Sequence, residues 1–519
     1  MKHPWDQRLG VWWIAEDRPD FPAILDSPSG PRSYAELAGN AHQLVHALRA
    51  EGLQPGDPVA VMLTNDVDII EISLACHEAG LYFLPLNTYL TEAEVTAIID
   101  SSDTAACFVH ERYAAAIAGR TPGDNTRCRF FSVGGTIEGY RSIDQLRAGH
   151  PTTMPSARRP GALFSYTSGT TGKPKGIRRK MPEGDPSEVS NAGATFGRAF
   201  DYRPFEGPHL VSTGMFHGGS HSFYMAALNV GHSLVIMGKF DPEGALANID
   251  RYKITTAYMV PTQFHRLLRL PAEVRAKYDV SSLHSVVHSA APCPKDLKQQ
   301  MFDWWGPVIW ETYGGMEGAA TIAKPQRWLE KPGTVGRAIA GVEVFILDDD
   351  GNEVPRGEVG HIYYRTVDSF QYHGDDDGTK HAFKGKSFSI GDMGYLDTDG
   401  YLFISDRAKD MIISGGVNIY PQEIEAVLAA NPAVADVAVI GVPDPDWGEQ
   451  IKALVEPANG RGASPELEAE LIEYCKERLA AYKVPKSVDF RAELPRTEAG
   501  KLYKRILRDE YWADSGRNV

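Results

Sequence analysis

Between Tyr166 and Gly176 the chain reads Tyr-Thr-Ser-Gly-Thr-Thr-Gly-Lys-Pro-Lys-Gly, directly after the apolar Ala162-Leu163-Phe164. Its three glycines permit a close backbone approach to a ligand. Hydroxyls from Thr167, Ser168, Thr170 and Thr171 and ammonium groups from Lys173 and Lys175 supply donors and positive charge. Exposed N–H groups and cations in one loop suit the concentrated negative charge of a polyphosphate. The density of Ser, Thr, Gly and Lys sets the stretch apart from a flexible surface turn. Its spacing is not that of the GxxxxGK[ST] phosphate loop, because Pro174 follows Lys173, which argues against the commonest class of nucleotide hydrolase.

Further segments combine reactive and unusually small side chains. Phe216-His217-Gly218-Gly219 joins an imidazole to two residues without side chains, although a loop histidine by itself is more often a structural hydrogen-bonder. Ser289-Ala290-Ala291-Pro292 ends an apolar strand in small residues, and Glu311-Thr312-Tyr313-Gly314-Gly315-Met316-Glu317-Gly318 sets a phenol and two carboxylates among glycines. Ser389-Ile390-Gly391-Asp392 and Asp406-Arg407-Ala408-Lys409-Asp410 offer acids and bases that would otherwise read as a surface salt bridge. Ser414-Gly415-Gly416-Val417-Asn418 leaves room for a narrow ligand beside bare backbone, or is a plain strand-to-helix turn. Near the end stands Leu494-Pro495-Arg496-Thr497-Glu498-Ala499-Gly500-Lys501.

In this order, and over roughly residues 33–508, these segments resemble the adenylate-forming superfamily of acyl-CoA synthetases, luciferases and peptide-synthetase adenylation domains. The resemblance implies an ATP-dependent acyl-CoA ligase of the fatty-acid–CoA ligase type. It would form an acyl-adenylate and then a thioester, releasing pyrophosphate and AMP, with ATP, Mg²⁺ and coenzyme A as cofactors. It places Thr167, Ser168, Gly169, Thr170, Thr171, Gly172 and Lys175 around the ATP phosphates. Ala290, Ala291 and Pro292 would pack on adenine, Tyr313 would stack on the base, and Glu311, Thr312 and Gly314 would belong to the same ATP site. Asp392 and Arg407 would hold the ribose, and Glu317 with Thr167 would bind Mg²⁺. His217 would line or gate the carboxylate pocket, and Gly415 and Gly416 would line the pantetheine tunnel. Lys501 matches the catalytic lysine, and Lys409 the hinge about which the small domain rotates between the two half-reactions.

Two positions depart from the pattern: Met316 stands where a Thr or Ser is usual, and Ile390 replaces a Thr. They keep a non-catalytic nucleotide-binding relative among the alternatives, beside an acyl-AMP ligase loading a carrier-protein thiol and a luciferase-like oxidase. The motif around His217 lacks the Asp that pairs with an amino-acid substrate, which favours an ordinary carboxylic acid. Gly218 and Gly219 would leave room for a bulky or long apolar acid, whether fatty, aryl or steroid-side-chain.

Such a site needs α/β scaffolding. Ser33 with Glu36 and Thr91 with Glu94 are capping boxes that open helices. Apolar strands at 59–63, 105–109, 234–237, 257–260 and 285–288 alternate with helical patterns, the signature of parallel sheets covered by helices. From about 333 to 404, short β-branched runs broken by Gly and Asp read as an antiparallel section. A compact α+β pattern follows, with strands at 434–441 and 450–456 and a helix at 467–480. The expected fold is α/β: an N-terminal adenylation domain over 1–406, made of stacked sheets with a β-rich subdomain, and a small mobile α+β domain over 407–519. A chain of 519 residues exceeds what one core ordinarily serves. Its net charge of −15 makes it a poor non-specific binder of nucleic acid. Five scattered cysteines without CxxC spacing fit a reducing compartment. No apolar run approaches the ~18–20 residues of a membrane span. The reading is a cytoplasmic enzyme of lipid or acid metabolism whose partners are its small-molecule substrates, with a homodimer left open.

Overall fold

The computed structural model describes residues 4–118, 127–167, 175–290, 293, 295–348, 350–366, 370–375, 379–380, 382–407, 412–419, 421–458, 461–495 and 504–512. Among them the strands form four sheets, of nine, eight, six and five strands. The two largest are parallel at their centres. In the eight-stranded sheet, Pro58–Met62 lies between Tyr82–Pro85 and Ala106–His110, with Val59 opposite both Phe83 and Ala106. Every residue of Pro58–Met62 is buried, which is why the strand reads as an unbroken apolar run instead of alternating. The nine-stranded sheet runs His209–Val211, Thr256–Met259, Ser285–His288 and Ile309–Gly315 side by side in parallel.

One apolar core joins these sheets. Val59, Phe83 and Phe108 from one and Leu234, Tyr258 and Val287 from the other pack with the helices Tyr34–Ala50, Val67–Ala79 and Gly218–Val230. Val67–Ala79 is buried almost all round, as befits a helix with a neighbour on each side. Its two buried carboxylates are compensated: Glu71 accepts from Asn40 at 2.7 Å and pairs with Arg147, and Glu78 meets His42 at 2.7 Å and Arg158 at 2.5 Å. Both expected capping boxes form, at Ser33 with Glu36 and at Thr91 with Glu94.

The antiparallel section does not stay together. Gly360–Thr366, Ser387–Phe388, Asp392–Leu396 and Leu402–Arg407 share the six-stranded sheet. Phe370–His373 instead crosses to the eight-stranded sheet and pairs with Lys175–Arg179, because buried Phe370 anchors it in a core shared with Ile177 and Phe388. In the small domain, Val434–Asp444 and Gly448–Pro457 form one long hairpin that continues past the expected end at Gly441. The Asp444 side chain closes it by accepting from the Asp446 and Trp447 N–H groups. The helices Pro421–Ala429 and Pro465–Lys476 cover this sheet through Ile424, Leu428, Leu467 and Leu471. The second stops at Lys476, short of the expected Ala480. Among the described residues no helix is long and apolar enough to cross a membrane.

Candidate active site

The phosphate segment is the bend of a β-hairpin. Ala162–Thr167 and Lys175–Arg179 pair antiparallel down to Thr167 opposite Lys175. Ser168, Gly169, Thr170, Thr171 and Gly172 lie outside the described residues, as do the side chains of Thr167 and Lys175. The hairpin's free edge receives Phe370–His373, with Tyr372 opposite Ile177.

That edge strand reaches Glu317. The Tyr372 hydroxyl donates to Glu317 Oε1 at 3.1 Å. Burial holds the Glu317 carboxyl above its ordinary range, opposed by the Tyr372 bond and by Arg179. Arg179 donates to the Met316 carbonyl at 2.8 Å, which fixes the turn that carries Glu317. The half-buried Glu317 carboxylate offers oxygen donors of the kind that fit Mg²⁺.

Tyr313 and Asp392, expected at base and ribose, are brought into contact. The Tyr313 hydroxyl donates to Asp392 Oδ2 at 2.6 Å. Asp392 also stands opposite Arg407 across an antiparallel pair, so both ribose candidates share one end of one sheet. The register shifts between Tyr313 and Gly314, a bulge of the kind that re-aims a side chain. Thr312 donates to the Thr321 carbonyl at 2.9 Å.

Glu311 is used differently from the expectation. Its buried carboxylate accepts from Lys298 Nζ at 2.7 Å, and His288 Nε2 lies 3.6 Å away. Lys298 is fully buried, with its ammonium 4.8 Å from the Trp328 ring. The Glu311 side chain therefore belongs to a buried ion pair behind the strand, which leaves its backbone for a nucleotide. Ala290 adopts φ +69°, an uncommon conformation for a residue with a side chain and the kind of strain found at binding turns. Ala291 and Pro292 lie outside the described residues.

His217 stands at the N-cap position of the Gly218–Val230 helix without a side-chain cap and packs on Phe216, ring centroids 4.3 Å apart. The residue is exposed in this arrangement. The room beside the two glycines is not empty. Met316 Sδ fills the position a Gly218 side chain would take, and the Tyr258 hydroxyl fills that of Gly219. Tyr258 is held there by stacking on Phe223, centroids 4.7 Å apart, and by a 2.8 Å bond to Ser289 Oγ.

Gly415 and Gly416 form the tip of a hairpin between Ile412–Ser414 and Val417–Ile419, both with φ in the left-handed region, at +60° and +80°. A Cβ on Gly416 would stand 3.4 Å from Val260, directly after the strand Thr256–Met259 of the large domain. Lys409 and Lys501 lie outside the described residues. The residues flanking Lys501 are packed on the small domain, Leu494 with Ile440 and Leu454, and Lys504 2.6 Å from Glu425. Sequence reasoning missed Arg179, Tyr258, Lys298 and Tyr372. Each acts on a residue distant in the chain, so no local pattern points to it.

The family described as AMP-binding enzyme matches residues 11–371, and the AMP-binding enzyme C-terminal domain matches residues 423–501. A feruloyl-CoA synthase of Amycolatopsis sp is 33% identical over 98% of this chain and 99% of its own. The amide bond synthetase McbA of Marinactinospora thermotolerans superposes with a TM-score of 0.85 at 28% identity, covering 97% of this chain and 100% of that one. A double mutant of the o-succinylbenzoate CoA synthetase of Bacillus subtilis, at 26% identity and covering 97% and 98%, superposes at 0.82 when bound to a product analogue. In complex with its acyl-adenylate intermediate the same enzyme, with the same identity and coverage, superposes at 0.65. The chain belongs to the AMP-binding enzyme family, as an adenylate-forming acid–thiol ligase of the acyl-CoA synthetase type.

Proposed function

We propose that this cytoplasmic enzyme activates a compact carboxylic acid with an aryl or aryl-alkyl body, and that the arrangement described here serves the second of its two half-reactions. The observation carrying the second point is the Gly416 tip lodged against Val260. The closer likeness to the product-bound than to the adenylate-bound o-succinylbenzoate enzyme supports it. The compact acid is supported by Met316 and Tyr258, which occupy the space the two glycines leave.

In the first half-reaction a carboxylate oxygen attacks the α-phosphorus of ATP, and pyrophosphate leaves. Both reactants are anions, so alignment and charge neutralisation dominate the barrier. The loop Thr167–Gly172 with Lys175 holds the phosphates, Asp392 and Arg407 the ribose, and Tyr313 the base. Glu317 and Thr167 would hold Mg²⁺, which when bound offsets phosphate charge. Lys501 supplies a positive charge at the α-phosphate in the orientation that brings it there, by rotation about Lys409. In the second half-reaction the thiol sulfur of coenzyme A attacks the acyl carbon and AMP leaves, with Gly415 and Gly416 admitting the thiol arm. His217 lines the acid pocket.

ATP–pyrophosphate exchange with a panel of aryl, fatty and steroid-side-chain acids tests the acid class, and CoA-dependent AMP release tests the acceptor. Exchange confined to long-chain acids would refute the compact-acid reading. Product formed with amines and not with coenzyme A would refute the thiol. Lys501→Ala should abolish exchange while sparing transfer from supplied acyl-adenylate, and equal loss of both steps would refute the rotation.

A further inference from the structure

A buried ammonium ties the two domains together close to the acyl site. Lys483, on the short helical turn Ala481–Lys483 of the small domain, is 2% exposed. Its Nζ lies 2.5 Å from Glu94 Oε1 and 2.8 Å from Glu423 Oε1. Glu94 belongs to the first turn of the large-domain helix Glu92–Ser101, and Glu423 to the first turn of Pro421–Ala429, which follows the Gly415–Gly416 hairpin. The large-domain half of the contact is prebuilt, because Glu94 Oε2 accepts from both the N–H and the hydroxyl of Thr91 at 2.9 Å. The other oxygen is thereby turned outward to Lys483.

The same seam continues to the acid pocket. Tyr482 meets the Tyr89 ring edge-on at 6.3 Å, and Tyr89 meets Phe216, the neighbour of His217, at 6.3 Å. We infer that Lys483 is a positioning residue for thioester formation: by bridging Glu94 and Glu423 it fastens the small domain in the orientation that sets the Gly415–Gly416 tip at the acyl site. This rests on the two-step reading above.

An ordinary structural pair would need one carboxylate. Lys483 with Glu423 satisfies the small domain alone, whereas Glu94 joins only when the domains meet. Two carboxylates around one ammonium leave an excess negative charge. Burial, and then Glu94, push the Glu423 carboxyl up to about 7 against the pull of Lys483. Such a contact holds the domains without locking them, which suits a joint that must open in every cycle.

Glu94→Gln tests this, since it retains a cap acceptor for Thr91 and lies outside the nucleotide and acid sites. ATP–pyrophosphate exchange should stay within about twofold of the parent. Transfer from supplied acyl-adenylate to coenzyme A should fall by roughly tenfold to a hundredfold, the range for losing one charge-assisted hydrogen bond. Lys483→Arg should retain more transfer than Lys483→Met. Transfer unchanged in Glu94→Gln, or exchange and transfer reduced together, would overturn the clamp while leaving the ligase reading intact. A parent protein that forms no adenylate with any acid would take down that reading and the clamp with it.

Discussion

Gly416 allows the domain arrangement to be tested apart from backbone strain. At φ +80° any side chain carries a penalty of about 1–2 kcal/mol, and it carries that penalty in every orientation of the small domain. Gly416→Ala isolates this term, because its Cβ would sit 3.4–3.5 Å from the Val260 side chain, an ordinary contact. Gly416→Leu adds atoms beyond that Cβ, and they collide with Val260 only while the tip is seated. Overpacking a fitted contact costs about 1–3 kcal/mol, or roughly 5- to 150-fold in the step that needs it. Relative to Gly416→Ala, the leucine variant should therefore lose that factor in thioester formation from supplied acyl-adenylate and lose nothing in ATP–pyrophosphate exchange. Gly415 is the control. At φ +60° a side chain there carries the same backbone penalty, so Gly415→Ala should lower the stability of the small domain. Equal transfer rates for Gly416→Ala and Gly416→Leu would refute the seated tip, as would equal loss in both half-reactions.

Two further outcomes concern stability. Lys298→Met should cost about 3–5 kcal/mol in denaturant unfolding, because it strands the buried Glu311 carboxylate, and Glu311→Gln in the same chain should restore part of the loss; a cost under about 1 kcal/mol would refute the pair's importance. Burial lowers the pKa of His77 and His232 to about 4 and that of His209 to about 3, so their contribution is complete above pH ~6.5 and lost as pH falls towards 4. At pH 5 each of the three forfeits about 2 kcal/mol, while Asp68 and Glu423, raised to about 6 and about 7, act in the opposite sense and offset somewhat more than half. The denaturation midpoint should drop between pH 7 and pH 5, and a flat or rising midpoint would contradict the buried neutral histidines.

What could be read in advance was local chemistry. The capping boxes at Ser33 and Thr91 form because donor and acceptor lie three residues apart. The parallel strands were legible because burial on both faces leaves a continuous apolar run. Hidden from the sequence were pairings whose partners are far apart: Glu94 with Lys483, 389 residues on, and Gln371 with Arg178 across the phosphate hairpin's edge. Glu311 was assigned to the nucleotide by its place beside Tyr313, yet its carboxylate turns to Lys298, a partner on the preceding helix. Gly218 and Gly219 advertised space, but a glycine reports only its own missing side chain. What fills that space comes from Met316 and Tyr258 on other elements.

Met316 and Ile390 bear on whether the site is retained or decayed. Met316 departs from the usual hydroxyl residue, but its thioether occupies the position that a side chain at 218 would need, so the departure and Gly218 fit as one packing solution. Ile390 packs near Gly315, beside the Glu317 carboxylate. Between these apolar groups the chain still keeps Glu317 half-buried and holds it with Tyr372. Withdrawing a carboxylate from water costs stability unless charge compensates it, and here a hydrogen bond from Tyr372 and the nearby Arg179 guanidinium only partly do so, since the carboxyl still lies above its ordinary range. A nucleotide-binding shell without chemistry would be more stable with an apolar residue at 317. Keeping the acid there, at the end of the strand that carries Tyr313, makes physical sense when a cation and phosphates complete its environment, and this weighs for a working ligase over a non-catalytic relative.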